Sequence, residues 1–141
     1  MISEELKSIV ERLSLQGKMS FLDSASEEQI SLFEKKHNVV LPKKYREWLR
    51  FSDGGECFLP AGVQLYGVAH KPVIDIDDDD RPDESYIVIG ALASGDPILC
   101  QKARETIAIY NHEAGRIEDD EKYDNFFAFL KDLYELLGIG E

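Results

Sequence analysis

The spacing of the apolar residues changes near residue 56, and this change constrains the fold more than any other feature of the sequence. Before it, apolar residues recur at the three- and four-residue spacing of an amphipathic helix. After it, they occur in short runs that alternate or are rich in β-branched side chains, which is typical of strands. A last stretch near the C-terminus returns to helical spacing. The pattern therefore predicts helices, then strands, then one more helix.

Two helices are predicted in the first 40 residues. The apolar face of the first, over the first fifteen residues, is formed by Ile2, Leu6, Ile9, Val10 and Leu13, and Gly17 ends it. The second begins at Ser26, whose hydroxyl caps free backbone N–H groups while Gln29 reaches back to close a capping box. Asn38 ends it, because this residue tolerates the left-handed conformation.

A third helix follows, with Pro42 as its first residue, since the missing N–H of proline costs nothing there. It presents an aromatic stripe containing Tyr45 and Trp48. At helical spacing such residues are more often core than interface, and we predict that Trp48 lies in the core. The Asp53-Gly54-Gly55 sequence breaks the helix.

The remaining chain predicts strands at residues 63–68, 86–89, 98–100, 106–110 and 116–117. A long loop spans residues 70–85, and shorter turns follow at residues 94–97 and 111–115. Asp124 or Asn125 caps a last helix, whose apolar face is Phe127, Leu130, Leu133, Tyr134 and Leu137. Because sequential strands joined by short turns pair antiparallel, we predict a single α+β domain over residues 1–141. Its meander sheet carries the C-terminal helix on one face and is at least partly open on the other.

The net charge of the chain limits the classes of partner that it is expected to bind. The chain has 28 acidic and 16 basic residues, which give a formal net charge of −12, and 43% hydrophobic residues are enough to exclude wholesale disorder. Non-specific nucleic-acid binding needs clustered cations, and anionic membranes would repel this surface, so we expect neither partner. A basic protein partner is favoured electrostatically.

Neither an export signal nor a membrane span is visible in the sequence, and we expect a cytoplasmic protein. Cys57 and Cys100 then fit reduced core thiols better than a disulfide, although a small hydrolase using one of them remains an alternative. The three histidines, at positions 37, 70 and 112, lack metal-ligand spacing. We therefore predict no enzyme activity, no metal and no cofactor.

The most distinctive local feature is an acidic run formed by Asp75, Asp77, Asp78, Asp79 and Asp80. An EF-hand calcium loop is rejected, because Asp80 stands where the loop requires glycine and Tyr86 where it requires glutamate. Two interpretations remain: a solvated loop, or an anionic finger that occupies the basic groove of a nuclease-like partner. Tyr66 alternates out of phase with its apolar neighbours and is a candidate contact on the open sheet face.

Several motifs, taken together and in order, resemble the SUKH superfamily over about residues 20–137. The N-terminal part is Ser26-Glu27-Glu28-Gln29-Ile30, then Glu34, Val40-Leu41-Pro42, Tyr45, Trp48, Leu49 and Asp53-Gly54-Gly55. The central part is Ile87-Val88-Ile89-Gly90 with Ser94-Gly95-Asp96-Pro97-Ile98, and the last is Phe127-Ala128-Phe129-Leu130. At His37-Asn38 the sequence departs from the apolar residue and glycine that are common in the superfamily, but Asn38 can adopt the same backbone conformation.

This superfamily includes fungal Smi/Knr cell-wall-assembly regulators and many bacterial immunity proteins, and it is not known as an enzyme family. The resemblance implies structural roles for Glu34, Leu41, Pro42, Trp48, Gly54, Gly55, Gly95 and Asp96. It implies a binding module, and we expect an immunity protein that occludes a basic toxin domain, with the acidic run and Tyr66 as contacts. A regulatory scaffold is the alternative. Monomer and dimer remain equally open.

Overall fold

The computed structural model describes residues 3–16, 19–21, 23–57, 63–69, 74, 85–92, 95–101, 104–111 and 113–132. Its elements are α1 (Glu4–Gln16), β1 (Met19–Ser20), α2 (Glu27–His37), α3 (Lys43–Phe51), β2 (Gly55–Cys57), β3 (Val63–Leu65), β4 (Tyr86–Leu92), β5 (Pro97–Gln101), β6 (Ile107–Asn111), β7 (Arg116–Tyr123) and α4 (Phe126–Lys131). The seven strands form one antiparallel sheet in chain order. The predicted α+β meander with flanking helices is therefore confirmed.

Local capping sets the ends of α2 as predicted. The Gln29 N–H donates to the Ser26 hydroxyl over 3.1 Å, and the Ser26 N–H donates to the Gln29 side-chain oxygen over 2.9 Å. At the other end, Asn38 adopts φ 54° and ψ 50°, the left-handed conformation that closes the helix. Asparagine adopts this conformation at a lower energetic cost than most residues, because its short polar side chain can hydrogen-bond locally, so glycine is not required.

The start of α4 resolves the choice between two predicted caps. Asn125 is the N-cap, and its side-chain oxygen accepts a 2.8 Å hydrogen bond from the Ala128 N–H. Phe127 and Leu130 are buried, as predicted. The predicted apolar positions Leu133, Tyr134 and Leu137 lie outside the described residues.

Several strands differ from the sequence-based expectation. β3 ends at Leu65 instead of residue 68, and β4 continues to Leu92 instead of ending at Ile89. β1 and β2 were not predicted, and β7 covers eight residues instead of two. Residues 118–121 of β7 are all acidic and therefore poor strand formers. The register with β6 shifts there: Ala108 pairs with Lys122 and Tyr110 with Ile117, so these four residues lie opposite Ile109 alone. Pairing with β6 on both sides of this irregularity thus imposes a strand on a sequence that does not favour one.

The two faces of the sheet are buried to different extents. The face that carries the main core includes Ile87, Ile98 and Ile107, which pack in one cluster with residues from all four helices. On the opposite face, Val88, Leu99 and Ala108 pair in register across β4, β5 and β6 and are 3%, 0% and 0% exposed. Gln64 of β3 is exposed. The second face is therefore partly open, as predicted: it is exposed at Gln64 of β3 and buried at its centre.

Candidate interaction surface

The aromatic stripe of α3 anchors the fold and does not form a surface. Trp48 is completely buried, and its indole N–H donates to the Gly54 carbonyl over 3.1 Å. Tyr45 is also completely buried, and its hydroxyl donates to the Tyr66 carbonyl over 2.5 Å. Burial, and then the charges of Cys100 and Asp53, raise the pKa of Tyr45 well above its usual value. The prediction that Trp48 belongs to the core is confirmed.

The Asp53-Gly54-Gly55 sequence joins α3 to the sheet. Gly54 has φ +99°, and a Cβ there would lie 2.7 Å from the Leu65 carbonyl oxygen, so only glycine fits. Gly55 also has a positive φ and begins β2. The glycine pair thus ends the helix and lets two backbone segments approach closely, in agreement with the predicted structural role.

Asp53 is completely buried, and its carboxylate holds the chain that follows β3. It accepts hydrogen bonds from the Val68 N–H over 2.7 Å and from the Ala69 N–H over 2.9 Å. Gly67, between Tyr66 and Val68, lies against this carboxylate: a Cβ there would be 2.5 Å from Asp53 Oδ1. Sequence reasoning did not assign Gly67 a role, although a glycine at the end of a strand pattern is the signal of such a close approach.

Glu34 links α2 to α3. Its carboxylate accepts a 2.8 Å hydrogen bond from the Leu41 N–H and pairs with the Arg46 guanidinium, which also pairs with Glu27 over 2.7 Å. Burial opposes the charge of Arg46, but the hydrogen bond and charge of Glu34, followed by those of Glu27, outweigh it and raise the pKa of the guanidinium. The family glutamate is therefore a structural residue. Arg46 was not identified from the sequence.

The N-terminus of α3 is capped from a distant segment. Pro42 is the N-cap and not the first helical residue, which corrects the expectation by one position, and it makes no side-chain capping bond. Glu105 replaces the missing cap: its carboxylate accepts from the Lys43 N–H over 2.9 Å and from the Lys44 N–H over 3.4 Å. No sequence signal connects Glu105 to this helix, because 62 residues separate it from Lys43.

Gly95 and Asp96 form the turn between β4 and β5. Gly95 has φ +98°, and its N–H donates to the Leu92 carbonyl over 2.9 Å. The Leu92 N–H in turn donates to the Asp96 carbonyl, also over 2.9 Å. These backbone bonds account for the turn residues of the motif as structural residues.

The two candidate contacts from the sequence have different outcomes. Tyr66 directly follows β3, and its half-buried side chain packs against the core, while Gln64 is the exposed residue of that strand. The alternation that would place Tyr66 on the open face ends at Leu65, where the strand ends. The acidic run at 75 and 77–80 lies outside the described residues.

The structure describes the surroundings of one of the two candidate nucleophilic cysteines. Cys100 is buried, and burial, reinforced by the charge of Glu105, raises the pKa of its thiol far above the usual range. It is a core thiol, as predicted. For Cys57 the structure gives the backbone, which pairs in β2. Among the described residues, no group of three or more potential metal ligands comes together.

Two shallow depressions, each of about 360 Å³, lie at the start of α3 and along α2. The first, here named the Val40 pocket, is lined by Val40, Leu41, Pro42, Lys43, Arg46, Arg104 and Glu105. The second, the Leu32 pocket, is lined by Gln29, Leu32, Phe33, Lys36, His37, Val68 and Ala69.

Each pocket contains a strongly exposed apolar side chain. Val40 is 61% exposed and Leu32 is 65% exposed. Single exposed apolar residues are common, but these two lie in concave sites beside cationic side chains, which is the mixed lining that binding sites use. Neither pocket was predicted, because Leu32 and Val40 border helix positions that are buried, and the sequence pattern alone does not show their exposure.

No described helix is long and apolar enough to cross a membrane. A search of curated proteins finds no match to this sequence. Residues 24–132, about three quarters of the chain, match the SMI1 / KNR4 family (SUKH-1). This range includes the buried Trp48, the Glu34 link and the Asp53-Gly54-Gly55 junction. The capped helices and the antiparallel meander agree with this match. The chain therefore belongs to the SMI1 / KNR4 family (SUKH-1).

Proposed function

We propose that this chain is a non-enzymatic binding protein that neutralises a cognate toxin domain by covering its active site. The observation that carries the proposal is that the motif residues stabilise the fold, while other residues form the exposed surface. The motif side chains Glu34, Trp48 and Asp53 make hydrogen bonds inside the fold, whereas Leu32 and Val40 are exposed in surface depressions. Such a chain has exposed apolar residues that a partner can contact, while its polar motif residues stabilise the fold.

The charge supports a basic partner. With a formal net charge of −12, the chain attracts a cationic domain over distances comparable to the Debye length. A nuclease-like toxin has a cationic substrate groove, and an acidic protein competes for that groove with the substrate's phosphates. The acidic run at 75 and 77–80 supplies a dense part of this charge and, in this proposal, steers association.

Two features weigh against the cysteine-hydrolase alternative. A nucleophilic thiol needs access and a lowered pKa, and Cys100 has neither. The described histidine, His37, packs its ring against Phe33 with the centroids 4.5 Å apart. It lies on α2, and its ring contact is with Phe33 and not with a cysteine.

The deciding experiment pairs the chain with a candidate toxin. An adjacent gene that encodes a large protein ending in a small basic domain supplies the candidate. The basic domain is expressed with and without this chain, and growth and complex formation are measured at low and high salt. We expect restored growth and a complex that weakens with salt. A toxin that stays fully active beside an excess of folded chain would overturn the proposal.

The steering role has a charge-matched control. Replacing Asp77, Asp78, Asp79 and Asp80 with lysine should slow association by about tenfold or more at low salt. The same replacement of the four acidic residues 118–121 of β7 changes the net charge equally. Equal rates for the two variants would show that the position of the acidic run is unimportant. If cell-wall-synthesis proteins were instead captured specifically and no toxin were neutralised, the regulatory-scaffold alternative would replace the proposal.

A further inference from the structure

We propose that the Val40 pocket binds a carboxylate-bearing segment of the protein partner, with an apolar side chain of the same segment packed on Val40. The inference rests on the proposed function, in that it assumes a protein partner. It adds the place of contact and the chemistry of the bound segment. The partner is basic overall, and the inference assigns one acidic residue of it to this pocket.

The local charge of the pocket is opposite to that of the chain. Lys43, Arg46 and Arg104 line it together with one carboxylate, that of Glu105. Arg46 and the adjacent Arg50 are balanced by Glu27 and Glu34, so the remaining groups give the pocket a formal charge of +1 on a chain of −12. A cationic site on such an acidic protein is unlike its surroundings, and it complements an anionic group.

The hydrogen bonds show which of these charges are already engaged. Glu105 accepts from the Lys43 and Lys44 backbone N–H groups, and Arg46 is paired with Glu34 and Glu27. Lys43 and Arg104 have exposed side chains on the pocket lining. These two cations are therefore the groups that we assign to the incoming carboxylate.

The apolar part of the pocket adds a second requirement. Leu41 is 2% exposed and Pro42 is buried, so neither has much accessible surface that a partner could contact. Val40, at 61% exposed, is the apolar side chain that a partner can cover. A segment with an apolar residue next to a glutamate or aspartate satisfies both requirements. A nucleic acid satisfies neither, since its repeated phosphates meet the −12 field and it presents no aliphatic side chain.

The test uses a defined probe, the capped peptide Gly-Leu-Glu-Leu-Gly, and a matched peptide with Gln in place of Glu. Each is titrated into the isotope-labelled full chain, and the backbone amide signals are followed by NMR. We expect saturable shifts at Val40, Lys43 and Arg104 with the acidic peptide and much weaker ones with the neutral peptide. Equal shifts with both peptides, or shifts confined to the Leu32 pocket, would overturn the assignment.

Charge-neutralising variants provide the control. The Lys43→Gln/Arg104→Gln double variant should bind the acidic peptide about fivefold more weakly, because two exposed charge contacts are lost. The Lys35→Gln/Lys122→Gln double variant has the same charge change at exposed positions outside the pocket and should bind like the parent. Equal weakening of peptide binding in the two double variants would show that the effect depends on net charge and not on the pocket.

Other occupants give distinct results. If inorganic phosphate shifts the same amide signals at the same concentrations, the pocket is a general anion site and is not specific for a carboxylate. Concentration-dependent self-association that Lys43→Gln/Arg104→Gln abolishes would make a second copy of the chain the occupant. Either result overturns the assignment to a protein partner's carboxylate.

The inference and the proposed function can fail separately. A toxin that is neutralised equally well by the parent chain and by Lys43→Gln/Arg104→Gln would refute the pocket and leave the function intact. Specific peptide binding at the Val40 pocket with no toxin neutralised would refute the function and leave the pocket intact.

Discussion

Gly67 packs directly against the buried carboxylate of Asp53, so closely that a Cβ at residue 67 would lie 2.5 Å from Oδ1. The same carboxylate accepts from the Val68 and Ala69 N–H groups. One contact thus joins the end of α3 to the chain that leaves β3, and through Val68 and Ala69 it shapes one side of the Leu32 pocket.

Replacing this glycine tests the contact. We expect Gly67→Ala to lower the free energy of unfolding by about 3 kcal/mol, because the methyl group collides with the Asp53 backbone carbonyl oxygen, 2.4 Å from the added Cβ, and with a carboxylate that two hydrogen bonds hold in place. Gly115→Ala is the control: its Cβ meets only the Tyr110 hydroxyl, at 3.8 Å, so its cost is the left-handed backbone, about 1–2 kcal/mol. Combining Gly67→Ala with Asp53→Ala removes the carboxylate part of the clash, whereas the Asp53 carbonyl oxygen stays 2.4 Å from the added Cβ. We therefore expect the double variant to lose less stability than the sum of the two single losses, but to remain less stable than Asp53→Ala alone. Urea unfolding curves with additive losses would show that the two residues are not coupled.

Glu34 is expected to contribute to stability through its link to Leu41 and Arg46. Glu34→Gln removes the charge that Arg46 pairs with and should cost about 1–3 kcal/mol. Glu28→Gln makes the same chemical change at an exposed position of α2 and should stay within about 0.5 kcal/mol. Thermal and chemical unfolding of the two variants give the comparison. A loss no larger than that of Glu28→Gln would mean that the link is only a surface contact.

The N-terminal helix lies before the residues that match the family, yet it completes the core. Leu6 is completely buried in the core cluster, and Glu5 pairs with Lys131 over 3.0 Å and with Lys44 over 3.4 Å. The hydrogen bond from Lys131 lowers the pKa of Glu5. Leu6→Ala should therefore cost about 2–5 kcal/mol, whereas Lys7→Ala, exposed on the same helix, should cost little. If the two variants unfolded alike, α1 would be an appendage and not part of the core.

Alkaline pH is expected to destabilise the protein through Tyr45. The pKa of this phenol is raised in the folded state, so the unfolded chain ionises first above about pH 10. Its contribution is present in full below that pH and is lost as pH rises through the higher, folded-state pKa. Tyr45→Phe should cost about 1 kcal/mol at neutral pH, from the lost bond to the Tyr66 carbonyl, and flatten the alkaline decline. Parallel stability curves for the two proteins above pH 10 would contradict this assignment.

Cys100 should behave as an inert core thiol. In a Cys57→Ser variant, which isolates it, alkylation at neutral pH should be about a hundredfold or more slower in the folded protein than in denaturant. Burial hinders access and raises the pKa of the thiol, so both effects act in the same direction. Rapid labelling of the folded variant would revive the cysteine-hydrolase alternative.

The features that could be predicted from the sequence depend on residues that are close together in the chain. The capping box of Ser26 and Gln29 and the left-handed Asn38 could be predicted because each involves bonds within one helical turn. The burial of Trp48 followed from helical spacing, and the order of the central strands from their β-branched runs and turn residues.

The contacts between distant segments could not be predicted, because they form only once the chain has folded. Glu105 caps α3 across 62 residues, Asp53 holds Val68 across 15, and β7 becomes a long strand because β6 lies beside it. The exposure of Val40 and the cations around it likewise depend on Arg104, far along the chain. Such contacts leave no periodic signal, because hydrogen bonds and charges act over a few ångströms in space, and the fold alone sets which residues come that close.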